Sequence, residues 1–206
     1  MRSVKTLLAV GALAVTTLSC GDVVRQGRSP MFLVIDRLAG QRGGGDDSEF
    51  GNPVHSDVLT LVTSPDPCTS EKPCKAVFSD PGEAELRLVP KNIAAPSVPS
   101  TNNAVTITRV RVAYKRADGR NTPGTDVPYP YDGAATGTVA EDGTLLLPFE
   151  LVRHVAKKEA PLVQLVDNGQ IITTIAEVTF YGQDLVGNDI SVTGTIQIDF
   201  GNFGDF

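Results

Sequence analysis

"AEVTFYGQDLVGNDISVTGTIQIDF", residues 176–200, is the stretch whose reading decides the fold. From Ile190 the apolar residues return at every second position or a multiple of two: Ile190, Val192, Ile196, Ile198 and Phe200. Ser191, Thr193, Thr195, Gln197 and Asp199 hold the other parity. A period of two with one wet parity marks an antiparallel strand buried on one face. Upstream, Ile172, Ala176, Val178 and Phe180 share a face in the same way. Between the runs, "YGQDLVGND" (181–189) turns the chain. There Asp184 can accept from nearby backbone amides, and Gly187 and Asn188 tolerate positive φ.

Working back from this hairpin, "PLVQLVDNGQIITT" predicts a further strand pair around Asp167-Asn168-Gly169. "VRHVAKKEA" (152–160) is the one helical candidate, short and solvated, with His154, Lys157 and Lys158 as a basic patch. "TVAEDGTLLLPFEL" (138–151) predicts a hairpin on Asp142-Gly143, a favoured turn pair. In "AVTITRVRVAYKRADG" (104–119), Val105 and Ile107 hold one parity and Val110, Val112 and Tyr114 the other. A phase change near Thr108 or Arg109 predicts a β-bulge, where one extra residue restores the inward face. "KAVFSDPGEAELRLVPKNI" (75–93) predicts two short strands about the turn residues Ser79-Asp80-Pro81-Gly82. Earlier strands are expected over Phe32–Leu38 and Val58–Thr63. Polar loops fill 40–52 and 119–134, and 97–103 is a candidate weak boundary. Many short strands with turn signals and almost no helix predict an all-β protein, an antiparallel β-sandwich over residues 31–206.

The motif Asp184-Leu185-Val186-Gly187-Asn188, inside the alternating stretch 176–198, resembles the last hairpin of bacterial immunoglobulin-like and fibronectin type III-like domains. The resemblance implies an immunoglobulin-like sandwich and is nearly silent on function. The chain departs from antibody-type domains. It has no tryptophan, and none of its three cysteines is spaced for an inter-sheet disulfide.

The N-terminus places the protein. Arg2 and Lys5 precede a short apolar run, Leu7 to Val15, then small and polar residues and Cys20. This is a secretory signal layout, and the run is too short to span a bilayer. Thr17-Leu18-Ser19-Cys20-Gly21 resembles the lipobox of bacterial lipoproteins, although that family prefers leucine where Thr17 stands. In that family the thiol takes a diacylglyceryl group, the chain is cut before the cysteine, and the new amine is acylated. The resemblance implies a signal peptide over 1–19, lipid on Cys20, a tether over 20–30 and a cell-envelope lipoprotein. In a cell with an outer membrane, Gly21 in place of aspartate favours that membrane.

With Cys20 assigned to lipid, Cys68 and Cys74 in "CTSEKPC" remain. An exported pair this close is expected to form a local disulfide. A metal site would need more ligands than the nearby His55 supplies. The chain carries 18 basic and 24 acidic residues, and removing 1–19 takes only basic ones. That balance argues against nucleic acid as a partner. No Gly-x-Ser-x-Gly or recognisable carboxylate pair points to catalysis. The expected function is a non-catalytic envelope-anchored module for binding or structure, using sandwich loops or an edge strand. It is held to the membrane by lipid and meets an envelope protein or glycan. The alternative is a glycan- or calcium-dependent binding module. Tyr129 and Tyr131 in "VPYPYDG" are its candidate ligand loop, and Asp184, Asn188 and Asp189 its candidate calcium ligands. No other cofactor is expected.

Overall fold

The alternation in the sequence becomes a layered β-structure in the computed structural model, which describes residues 28–44, 49–92 and 101–203. Its strands are β1 (Met31–Gly40), β2 (Val54–Asp57), β3 (Thr60–Val62), β4 (Cys74–Ala76) and β5 (Asp80–Pro90), followed by β6 (Val105–Lys115), β7 (Tyr131–Val139), β8 (Thr144–Val152), β9 (Ile172–Asp184) and β10 (Asp189–Gly201). One sheet has the order β1-β5-β8, a second the order β2-β10-β9-β6-β7, and β3 and β4 form a small ribbon. Every pairing is antiparallel except β2 with β10. The protein is therefore all-β and sandwich-like. Strands on both sides of 97–103 share sheets, since β5 pairs with β8 and β2 with β10.

The core lies between the two larger sheets. Leu33, Ala84, Leu86, Leu88, Leu147, Phe149 and Leu151 point in from the three-stranded sheet. Val110, Val112, Ala176, Val178, Phe180, Ile196, Ile198 and Phe200 point in from the other. Phe149 and Phe180 meet edge to face at 5.4 Å across the layer, a favoured aromatic geometry. Tyr114 and Tyr131 also cross it, donating their hydroxyls to the carbonyls of Leu151 (2.8 Å) and Glu150 respectively.

The predicted bulge is present. The register of β6 against both β7 and β9 shifts between Ile107 and Arg109. As a result Val105, Ile107, Val110, Val112 and Tyr114 are all buried. Gly182 lies opposite Ile107, where an added Cβ would stand 2.4 Å from the Thr106 carbonyl oxygen. The bulge brings the backbones too close for a side chain there.

Four expectations change. Asp80 starts β5 and is fully buried, so Ser79–Gly82 is not a hairpin turn. The turn at Asp142-Gly143 exists, with Gly143 N–H bonded to Ala140 O, but it joins strands of different sheets. Gly137 explains this: with no side chain, it admits Leu145 of β8 onto the face of β7. Residues Leu162–Leu165 form a 3₁₀ turn rather than a strand. Leu162 and Leu165 are buried at the i, i+3 spacing that such a turn superposes. Finally β9 runs on to Asp184, so Tyr181–Gln183 are strand and the turn is confined to the residues after them.

The bridging ring of Phe180 yields a direct test. Phe180→Ala is expected to cost about 3–5 kcal/mol in a denaturant titration, as for other large-to-small core changes.

Candidate functional site

The outer edge of β10 is the open strand position that the fold leaves beside a groove of mixed polarity. Residues along a strand alternate the side to which N–H and C=O point. The Asn188 carbonyl accepts from Asp184 N–H across the hairpin, so even-numbered residues face β9. Gln197 N–H donates to Asn52 Oδ1, and the Gly201 carbonyl accepts from Val58 N–H, so odd-numbered residues face outward. β2 covers that outer edge only at Ile198–Gly201. Ser191, Thr193 and Thr195 therefore present their backbone donors and acceptors to no strand among the described residues. Beside them runs a groove in which Ile35, Leu38 and Val192 alternate with polar groups of Asp36, Asn52, Thr193 and Thr195. The residues from Ile190 to Ile196 carry no charge and no proline.

The β9–β10 turn closes on itself. Asp184 Oδ1 accepts from the N–H of Val186 (3.1 Å) and of Asn188 (2.8 Å), and Oδ2 from Asn188 Nδ2 (2.8 Å). Gly187 supplies the positive φ of 85° that the turn requires. Asp189 Oδ1 accepts from Gln183 Nε2 at 2.7 Å. Burial alone would raise the Asp184 carboxyl, but the hydrogen bonds from Asn188, Val186 and Ser29 outweigh it and hold it below 3.8. Among the described residues no three His, Cys, Asp or Glu side chains gather as a metal cluster.

Tyr129 and Tyr131 part company. Tyr129 is half exposed, its ring lying over Gly124. Tyr131 is buried at the start of β7, and the Arg153 guanidinium sits 4.5 Å from its ring centre. Cys68 and Cys74 are joined as a disulfide that closes the loop before β4. Cys20, with the signal peptide and most of the tether, lies outside the described residues.

One ionic site has no counterpart in the sequence reading. The helix α1 (His154–Lys157) follows β8, and its last residue is not on a solvated patch. Lys157 Nζ donates to Asp80 Oδ1 at 2.7 Å, with both side chains fully buried. Gly43 N–H donates to the same oxygen at 2.8 Å, and Ser56 Oγ to Oδ2 at 2.5 Å. Burial raises the Asp80 carboxyl, and Lys157, Ser56 and Gly43 only partly pull it back. Locally, an aspartate before Pro-Gly and a lysine in a polar helical turn look like surface residues. Only the tertiary pairing marks them otherwise.

No protein-family model matches the chain, and no curated protein sequence is significantly similar to it.

The Asp184 turn has a pH signature. Because its folded carboxyl is held low, its contribution to stability is present above 3.8 and is lost as the pH falls through the folded value. Asp184→Asn is expected to destabilise at neutral pH by about 1–2 kcal/mol. The gap to wild type should shrink on acidification below 3.8 in paired denaturation curves.

Proposed function

We propose that this chain is a non-catalytic module of the bacterial cell envelope that takes a protein partner as an added strand on β10. The sandwich is of the immunoglobulin-like kind in this reading, supported by the two-sheet layering and the Asp184–Asn188 hairpin. The single observation that carries the proposal is the contrast between the β10 edge and the others. Native sheets guard their edges with charge, proline, bulges or short strands. β1 has a bulge between Ile35 and Arg37, with Asp36 and Arg37 at it, β7 carries Asp132 and an irregular register between Ala134 and Gly137, β8 contains Pro148, and β2 is four residues long. From Ile190 to Ile196, β10 has none of these devices.

Strand addition draws affinity from backbone hydrogen bonds and selectivity from alternate side-chain pockets. It therefore favours a protein segment over a glycan. Side chains of the added strand that face inward would meet Ile35, Leu38 and Val192. Lipid on Cys20 would hold the module at the envelope, with the outer membrane favoured where the cell has one. Two or three acyl chains suffice for stable anchoring. Loops 40–52 and 119–134 would add contacts, and the acidic surface favours no nucleic acid.

Anchoring is tested by labelling with radioactive palmitate beside Cys20→Ala. Label and membrane fractionation should vanish together in the variant, and an unlabelled, soluble wild type would remove the anchor. The edge is tested with a photo-crosslinking residue at 191 or 195 in intact cells, with position 138 on β7 as the control. Discrete protein adducts are expected at the two β10 positions and not at 138. Thr193→Pro should abolish them while the fold survives, since the Thr193 N–H faces outward and proline removes no backbone bond to β9, only the exposed hydroxyl contact with Thr179. Adducts at all three positions alike, or at none, would refute strand addition.

A further inference from the structure

We propose that Lys157 and Asp80 condense to an intramolecular isopeptide bond, a covalent tie between the segment after β8 and the start of β5. The inference is independent of strand addition at β10. It begins from the accounting of donors. Lys157 Nζ as an ammonium has three N–H groups, and among the described residues its hydrogen bond is the one to Asp80. Neither side chain is exposed, so an ammonium there forgoes the bulk hydration its other two N–H groups would have at the surface. That is an expensive arrangement, whereas an amide nitrogen has a single N–H to satisfy. Ordinarily, ionisation of acid and amine in water opposes their condensation. Enclosure by protein weakens that opposition by withholding hydration from ions, and burial raises the Asp80 carboxyl accordingly.

The groups around Asp80 are placed for the reaction. A proton shifts from Nζ to Oδ1, 2.7 Å away, leaving a neutral amine beside a carboxylic acid. The nitrogen lone pair attacks Cγ, forming the C–N bond, and the carbonyl π pair moves onto Oδ2. Ser56 O–H, 2.5 Å from Oδ2, stabilises that oxyanion. The nitrogen passes a second proton to Oδ1, which Gly43 N–H also contacts at 2.8 Å. The C–Oδ1 bond breaks, water leaves, and the pair on Oδ2 restores the carbonyl. One acid and one amine give one amide and one water, with no oxidant or further reactant. Once the water has gone, the enclosed site slows the return reaction by keeping solvent away from the amide.

Mass spectrometry decides it. The full chain, produced through its own export route, is denatured and digested with trypsin. In the linked protein, residues 76–87 and 154–158 travel as one branched peptide, lighter than their sum by one water, because the modified Lys157 resists cleavage. Lys157→Arg and Asp80→Ala should abolish the branched species. If either variant fails to fold, the wild-type map still decides, since it needs no comparison. Wild-type protein giving 76–87 and the Lys157-cleaved peptide separately, at full mass, overturns the proposal. So does a branched species that persists in Lys157→Arg.

Discussion

The extra residue at Thr108 is the constraint on which the layered core depends. β6 is hydrogen-bonded on both sides, to β7 and to β9. Its apolar residues change parity halfway along. A regular strand would bury either Val105 and Ile107 or the set Val110, Val112 and Tyr114, and expose the rest. The bulge buries all five. It also demands that β9 come close at Gly182, so a glycine on a neighbouring strand is part of the same device. From the corrected face of β6, Tyr114 reaches over to Leu151 O, and β8 is thereby tied to the opposite sheet.

A second theme is that polar groups hold one end of the molecule together. Asp80 gathers donors from the 41–44 loop, from β2 and from α1. Each of these segments is short, and none could bury much apolar surface alone. A carboxylate that accepts from all three makes their positions interdependent. Removing it would leave a buried amine and two donors unpaired at once, a cost well beyond that of one lost hydrogen bond. The exposed pairs elsewhere, such as Arg37 with Glu83 and Arg87 with Asp36, are of a weaker kind.

What was legible in the sequence was whatever a strand's own period could express. The faces of Ile172–Phe180 and Ile190–Phe200 and the parity break in β6 follow from local patterns, and the layers follow from them. What was not legible concerns the partner across space. Asp142-Gly143 makes the same tight turn whether its strands lie in one sheet or two, and Gly137 under Leu145 settles which. Leu162 and Leu165 satisfy a strand-like apolar count but are spaced for a 3₁₀ turn. Tyr131 was indistinguishable from Tyr129 until one entered the core. Asp80 and Lys157 carry the residue types of a surface, and their burial is visible only once β5 and α1 are brought together. The open edge of β10 was similarly hidden, because edges are a property of sheet order and not of the strand.

The parallel contact between β2 and β10 joins residues near the two ends of the described chain, as does the bond from Gln197 to Asn52 across 145 positions. Chains are made from the N-terminus, and long-range pairings form slowly. β2 therefore has no sheet to join until the last strand has emerged. Until then its segment waits beside a half-built layer whose central strand, β9, also arrives late. Nascent chains that stop before Ile198 would leave β2 without its partner strand and the five-stranded layer over β1-β5-β8 incomplete.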